Sequence, residues 1–172
     1  MISSTKPPLY SRIITTPIGE MIAIANEKAL VYLDFIDDNE TPQINNPNHI
    51  LLIRLEDELG EYFAQKRQLF TLPLSPNGTI FQKAVWETLL KIPYGATLSY
   101  AAEAKMFGNP KATRAVASAN AKNPISILIP CHRVIASDGK IGGYSGGLWR
   151  KEFLLSHELN TKTNASVFSG RD

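Results

Sequence analysis

Ser99-Tyr100-Ala101-Ala102-Glu103-Ala104-Lys105-Met106-Phe107-Gly108-Asn109-Pro110-Lys111-Ala112-Thr113-Arg114 is the stretch that decides how the second half of the chain folds. A helix is expected to start at Ser99 and stop near Gly108, since serine caps helix starts and glycine ends helices. Asn109 can cap again, with Pro110 at the first helical position, so a further helix runs toward Lys122 and ends before Pro124. Two short helices joined by a glycine-containing turn make a helix-turn-helix candidate.

On the second of these helices, Ala112, Val116 and Ala119 share one face at helical spacing and should pack inward. Arg114 lies two positions from Val116, about 200° around the axis, and so points away from that core. Its outer-face neighbours Thr113, Ala117, Ser118 and Ala121 are small. Such a helix can press its backbone against a surface and push one guanidinium into it, the design of a wedge entering a base stack.

Upstream, Thr79 and Gln82 stand in capping-box spacing, and Phe81, Val85 and Leu89 form one face of a helix that Pro93 and Gly95 end. Residues 68–78, with Pro73, Pro76 and Asn77-Gly78, read as a linker. Before it, Leu52, Leu55, Leu59, Tyr62 and Phe63 predict an amphipathic helix over 50–65, whose Glu56, Asp57, Glu58 and Glu61 face is expected to be solvated. The β-like runs Arg12–Thr16, Met21–Ala25 and Ala29–Phe35, separated by turn residues, predict an antiparallel meander followed by a polar loop over 37–49. The expected division is an N-terminal α/β domain with linker over 1–78, a second domain over 79–160, and a polar, aperiodic, mobile tail over 161–172.

Downstream, Ile129-Pro130-Cys131-His132-Arg133-Val134 sets the only cysteine of the chain directly before a histidine. A thiol attacks as its thiolate, which needs a nearby base or cation at neutral pH. Cys131 therefore reads as a nucleophile and His132 as its base. An imidazole in that role needs its second nitrogen held by an acceptor, and both Glu152 and Glu158 are candidates on a helix expected to end at Ser156-His157-Glu158. Gly142-Gly143-Tyr144-Ser145-Gly146-Gly147 brackets two hydroxyl side chains with glycine pairs, which allows close approach to a ligand.

Composition narrows the classes. The chain of 172 residues is 44% hydrophobic and 20% charged, as in globular proteins. No stretch approaches the roughly 20 apolar residues that span a bilayer, and the start shows no secretory h-region. One cysteine cannot form an internal disulfide and survives best where thiols stay reduced, so a cytoplasmic protein without a membrane partner is expected. His49, His132 and His157 stand at no familiar metal spacing, and neither metal nor cofactor is expected. Residues 1–80 carry a net −4 and residues 81–172 a net +6, so only the second half suits a polyanion.

Pro130-Cys131-His132-Arg133-Val134, preceded by Asn123-Pro124 and followed by Gly143-Tyr144-Ser145-Gly146-Gly147 and His157-Glu158, resembles the O6-alkylguanine-DNA alkyltransferases, also called methylated-DNA–protein-cysteine methyltransferases. The likeness is close over residues 79–159 and weaker before them. It implies an α+β protein with an N-terminal ribonuclease-H-like meander plus helix, and a mostly helical C-terminal domain carrying the helix-turn-helix and the cysteine. It also implies single-turnover, direct-reversal repair, in which an alkyl group passes irreversibly from guanine O6 to Cys131 after nucleotide flipping; O4-alkylthymine is left open as a substrate.

Carried over by position, the resemblance makes His132 the base acting through a water, Glu158 its orienting carboxylate and Asn123 the brace of the active-site turn. Arg114 replaces the extruded nucleotide, Tyr100 crowds the flanking phosphate, and Thr113, Ala115 and Ser118 accompany them at the DNA. Val134, Tyr144 and Ser145 line the base pocket, and Lys151 helps the departing guanine. The implied partner is double-stranded DNA bearing O6-alkylguanine, bound from the minor groove by a monomer, with cooperative loading left open. Ser126 stands where some members have proline, Ala117-Ser118 where some have glycine-rich pairs, and no cysteines are available for the N-terminal zinc site of some relatives.

Two other classes fit parts of the pattern. A Cys/His/Glu hydrolase would turn over repeatedly, and a non-catalytic helix-turn-helix binder would never use its thiol.

Overall fold

A computed structural model describes residues 6–169, with side chains through Asn160. The chain divides after Pro76 into two compact units. In the first, β1 (Tyr10–Thr16), β2 (Gly19–Ala25) and β3 (Leu30–Phe35) form an antiparallel sheet in the order β1-β2-β3. Helix α1 (Ile50–Phe63) buries Leu52, Leu55, Leu59 and Tyr62, the apolar stripe that the spacing predicts; Ile14, Met21, Leu30 and Leu33 of the sheet are also buried. Each such leucine withdrawn from water contributes roughly 1.5–3 kcal/mol.

The acidic face of α1 departs from expectation at Glu58, which is 3% exposed. Its carboxylate accepts the Thr71 N–H and Oγ1–H, each at 2.7 Å, and pairs with Arg54 at 3.3 Å. The reason lies in the stretch read as linker. Leu30 N–H donates to Pro73 O and Ser75 N–H to Leu30 O, at 2.9 and 2.8 Å, which stitches residues 73–75 onto β3 and brings Thr71 over the helix.

The second unit opens with α2 (Ile80–Leu89), capped by the reciprocal Thr79–Gln82 box. Gly78 packs so close to Trp86 that a Cβ there would lie 2.4 Å from the indole. Strand β4 (Leu98–Ser99) leads into α3 (Tyr100–Phe107), whose N-cap is Ser99 and which ends at Gly108 with φ 104°. Asn109 caps next, but it caps a 3-10 turn at Pro110–Ala112, and α4 begins only at Thr113 and runs to Ala121. Val85, Ala104, Val116 and Ala119 form the core that joins α2, α3 and α4, with Phe107 and Ala112 packed against it. The Trp86 indole N–H donates to Ala119 O at 2.9 Å.

A short 3-10 turn at Cys131–Arg133 feeds β5 (Val134–Ile135), which pairs in parallel with β4 through Leu98↔Val134 and Ser99↔Ile135. Helix α5 (Leu148–Ser169) does not stop at Glu158 as expected. No glycine or proline interrupts residues 148–169, so nothing local ends it. The expected tail therefore begins inside a helix, and its residues 170–172 lie outside the described residues. Among the described residues no helix is long and apolar enough to cross a membrane.

Candidate active site

Cys131 sits at the end of a buried, tightly wound turn. Ile127 takes φ 72°, a conformation costly for a β-branched residue, and Leu128 N–H donates to Ser126 O while Ile129 N–H donates to Ile125 O. Asn123 holds the turn from within. Its Nδ2 donates to Ile129 O at 2.8 Å and to Cys131 Sγ at 3.3 Å, and its Oδ1 accepts the Ile125 N–H at 3.0 Å. The sulfur is thereby fixed by the same amide that fixes the backbone preceding it.

His132 is wholly buried, with Nε2 at 2.8 Å from Glu158 Oε2. A carboxylate needs a donor opposite it, so Nε2 carries the proton and Nδ1 keeps its lone pair. That Nδ1 has no hydrogen-bond partner among the described residues. Glu158 also accepts Arg133 Nε at 2.8 Å and Nη2 at 3.2 Å, with the Gly95 N–H at 3.4 Å. Arg133 spends its remaining nitrogen on Ile92 O at 2.8 Å and lies 5.7 Å from the Tyr94 ring centroid.

The electrostatics follow from this sharing. Burial alone would raise the Glu158 carboxyl, but His132 and Arg133 overcome it and hold the group well below the usual carboxylate range. Burial pushes His132 down, and the Arg133 and Lys151 charges push the same way, against the pull of Glu158. The imidazole is therefore neutral and able to accept a proton. Lys151, also wholly buried, is pushed down to about 8 by burial, with Cys131 opposing. Its Nζ donates to Val134 O at 2.6 Å and Gly143 O at 3.0 Å, which ties the glycine loop to the strand after the nucleophile.

Cys131 opens onto a cavity of about 240 Å³. Tyr100, Tyr144, Ser145 and Gly143 form part of its wall, and Ala117, Asn120 and Ala121 of α4 form another. Tyr100 is half-buried and takes a backbone hydrogen bond from Gly143. A Cβ at Gly142, whose φ is 76°, would meet the Tyr100 hydroxyl at 3.1 Å, so both conformation and space call for glycine there. Arg114, Ala115 and Ser118 are exposed on α4, while Thr113 Oγ1 donates back to Pro110 O at 3.3 Å. Among the described residues no cluster of three His, Cys, Asp or Glu side chains is placed to hold a metal ion.

Residues 80–160 match the family model described as the DNA-binding domain of 6-O-methylguanine DNA methyltransferase, and residues 9–76 match its ribonuclease-like domain. The methylated-DNA–protein-cysteine methyltransferase of Methanosarcina barkeri is 47% identical over 155 residues, 88% of this chain and 98% of that protein. The constitutive enzyme of that name from Bacillus subtilis is 42% identical, over 87% of this chain and 94% of its own. This chain belongs to the 6-O-methylguanine DNA methyltransferase family. The crystal structure of Mycobacterium tuberculosis OGT in complex with DNA matches with TM-score 0.80 and 39% identity, over 88% of this chain and 94% of that one.

In this methyltransferase family member the fold links Asn123, Cys131, His132 and Glu158 in one chain of contacts, with Asn123 on the sulfur and Glu158 on the imidazole, and of the four only Cys131 lines the cavity. The choice between the two carboxylates is settled geometrically, since Glu152 is exposed and Glu158 bonds His132. Val134 and Lys151 are buried and do not line the cavity; they support it through their mutual hydrogen bond. Sequence spacing assigns no role to Arg133, Glu103 or Asn120. Glu103 falls three residues after Tyr100 and four before Phe107, on a face that packs inward, and an acid on such a face signals burial.

Proposed function

We propose that this chain is a methylated-DNA–protein-cysteine methyltransferase that repairs O6-alkylguanine by moving the alkyl carbon onto Sγ of Cys131 in one irreversible step. The observation that carries this reading is the lone cysteine on a cavity wall, followed directly by a histidine whose far nitrogen is bonded to a buried carboxylate.

His132 takes the thiol proton at Nδ1, through a bridging water. The thiolate attacks the carbon on O6, the new S–C bond forms as the C–O bond breaks, and the electron pair returns to the guanine, which regains a proton. The buried Lys151 cation favours both the thiolate and the departing charge. Glu158, held ionised by Arg133, keeps the imidazole oriented and stabilises the imidazolium that forms. A thioether has no leaving group that water can displace under these conditions, so each molecule works once.

A carbon inside a duplex is out of reach of a side chain, so the nucleotide must leave the stack at a cost of a few kcal/mol. Arg114, exposed on the small-residue face of α4, fills the gap, while Tyr100 crowds the flanking phosphate. Thr113, Ala115 and Ser118 let the helix backbone approach the minor groove. Tyr144 and Ser145 receive the base. The second unit acts as the DNA-binding and alkyl-acceptor domain, the protein binds as a monomer, and a single cysteine kept as a thiol suits a reducing cytoplasm.

Incubation with duplex DNA containing O6-methylguanine, followed by intact-mass and peptide analysis, tests this reading. One added methyl per chain on the Cys131 peptide is expected, with no further turnover. An unmodified chain, or repeated product formation, would overturn it.

A further inference from the structure

Glu103, in the middle of α3, is wholly buried, yet the alkyl-transfer chemistry gives it no task. Its Oε1 accepts Asn120 Nδ2 at 2.7 Å, while Glu103 Oε2 and Asn120 Oδ1 are buried without a hydrogen-bond partner among the described residues. Two acceptors are thus left over on groups already joined by one bond. A proton on the carboxyl resolves both, because a neutral acid can accept from the amide nitrogen and donate to the amide oxygen. Burial favours that form, pushing the Glu103 carboxyl up to about 7 although the Asn120 hydrogen bond pulls it down.

Packing alone does not require this pair, since two apolar side chains would fill the same space at little cost. Its position offers another reason. Asn120 is part of the cavity wall that faces Cys131, and the other α4 residues there are the alanines 117 and 121. With the proton in place the amide would be held at both its nitrogen and its oxygen and could not rotate, so what it offers the cavity it lines would be a fixed, flat face. A planar heterocycle packs well on such a face.

We propose that Glu103 is a positioning residue that acts through Asn120: its carboxyl locks the Asn120 amide flat in the pocket wall and so tightens the hold on the extruded purine. This rests on the Cys131 cavity being the alkyl-acceptor pocket.

Free O6-benzylguanine, which needs no extrusion, isolates the pocket. The half-saturating concentration and the limiting rate of Cys131 benzylation are measured by intact mass, with folding checked by circular dichroism. Glu103→Leu is expected to raise the half-saturating concentration up to about tenfold, the scale of one hydrogen bond, with the limiting rate within about twofold. Glu103→Gln, a neutral isostere, should restore the parental value, a rescue that loss of packing would not show. Asn120→Ala should match Glu103→Leu, and it carries the same test should the leucine variant fail to fold. Unchanged half-saturation, a loss confined to the limiting rate, or a glutamine variant as weak as the leucine one would overturn the inference alone. If the unsubstituted protein takes up no benzyl group, the pocket reading fails and the inference falls with it.

Discussion

His132 and Glu158 meet at 2.8 Å, Nε2 to Oε2, with neither side chain more than 2% exposed, although 26 residues separate them in sequence. The carboxylate fixes the tautomer, and the tautomer decides which nitrogen can take a proton. Glu158→Gln keeps the shape and removes the charge, leaving the Arg133 cation unmatched. The limiting rate of Cys131 benzylation is expected to fall at least about a hundredfold, the scale of losing an organised general base. Glu158→Ala adds a stability loss of about 3–5 kcal/mol, because a charge stays buried without its counterpart. Urea unfolding separates the two effects.

Arg133 opposes the imidazolium form of His132. In Arg133→Leu that opposition is gone while the Glu158 carboxylate remains, so His132 holds its proton to higher pH. A protonated imidazole cannot take the thiol proton. The acid limb of the pH–rate profile with O6-benzylguanine should therefore move to higher pH, and an unmoved limb would show that Arg133 does not set the basicity of His132.

Arg114 is exposed and far from any task in bond breaking. For Arg114→Ala, transfer from duplex O6-methylguanine should slow by about tenfold or more, since part of the few kcal/mol of unstacking is no longer offset. The rate with free O6-benzylguanine should not change. Parallel time courses on the two substrates read the difference directly.

Glu103 has a folded-state value near 7 against an ordinary 4.5, so the folded protein holds a proton that the unfolded chain releases. Its contribution to stability is fully present below about pH 4.5 and is lost as pH rises toward 7. Glu103→Gln has no such proton to lose. Its stability relative to the parent should improve by about 1–3 kcal/mol between pH 5 and 8, measured by denaturant unfolding across that range.

Much of the architecture was legible because local chemistry wrote it. Thr79 with Gln82, Ser99 with Gly108, and the Leu52–Tyr62 stripe each specify an element within a few residues, and each element formed. What stayed hidden depends on distant partners. Glu58 sits on a face rich in charge, and only the return of Thr71, 13 residues on, explains why it is buried. The left-handed Ile127 lies in the apolar run Ile127-Leu128-Ile129, with no glycine to announce the turn; the Asn123 amide enforces it from outside that run. Glu152 and Glu158 were equivalent on paper because helix phase alone does not say which face meets a histidine two elements earlier.

Helix α4 bears Arg114 at one end and Ala117, Asn120 and Ala121 of the cavity wall toward the other. At 1.5 Å per residue the seven steps from Arg114 to Ala121 amount to about 10 Å. One rigid rod thus serves as a ruler between the hole left in the double helix and the receptacle for what was removed. Inserting a single residue between those ends would swing one against the other by about 100° and spoil the measure while each half stayed intact.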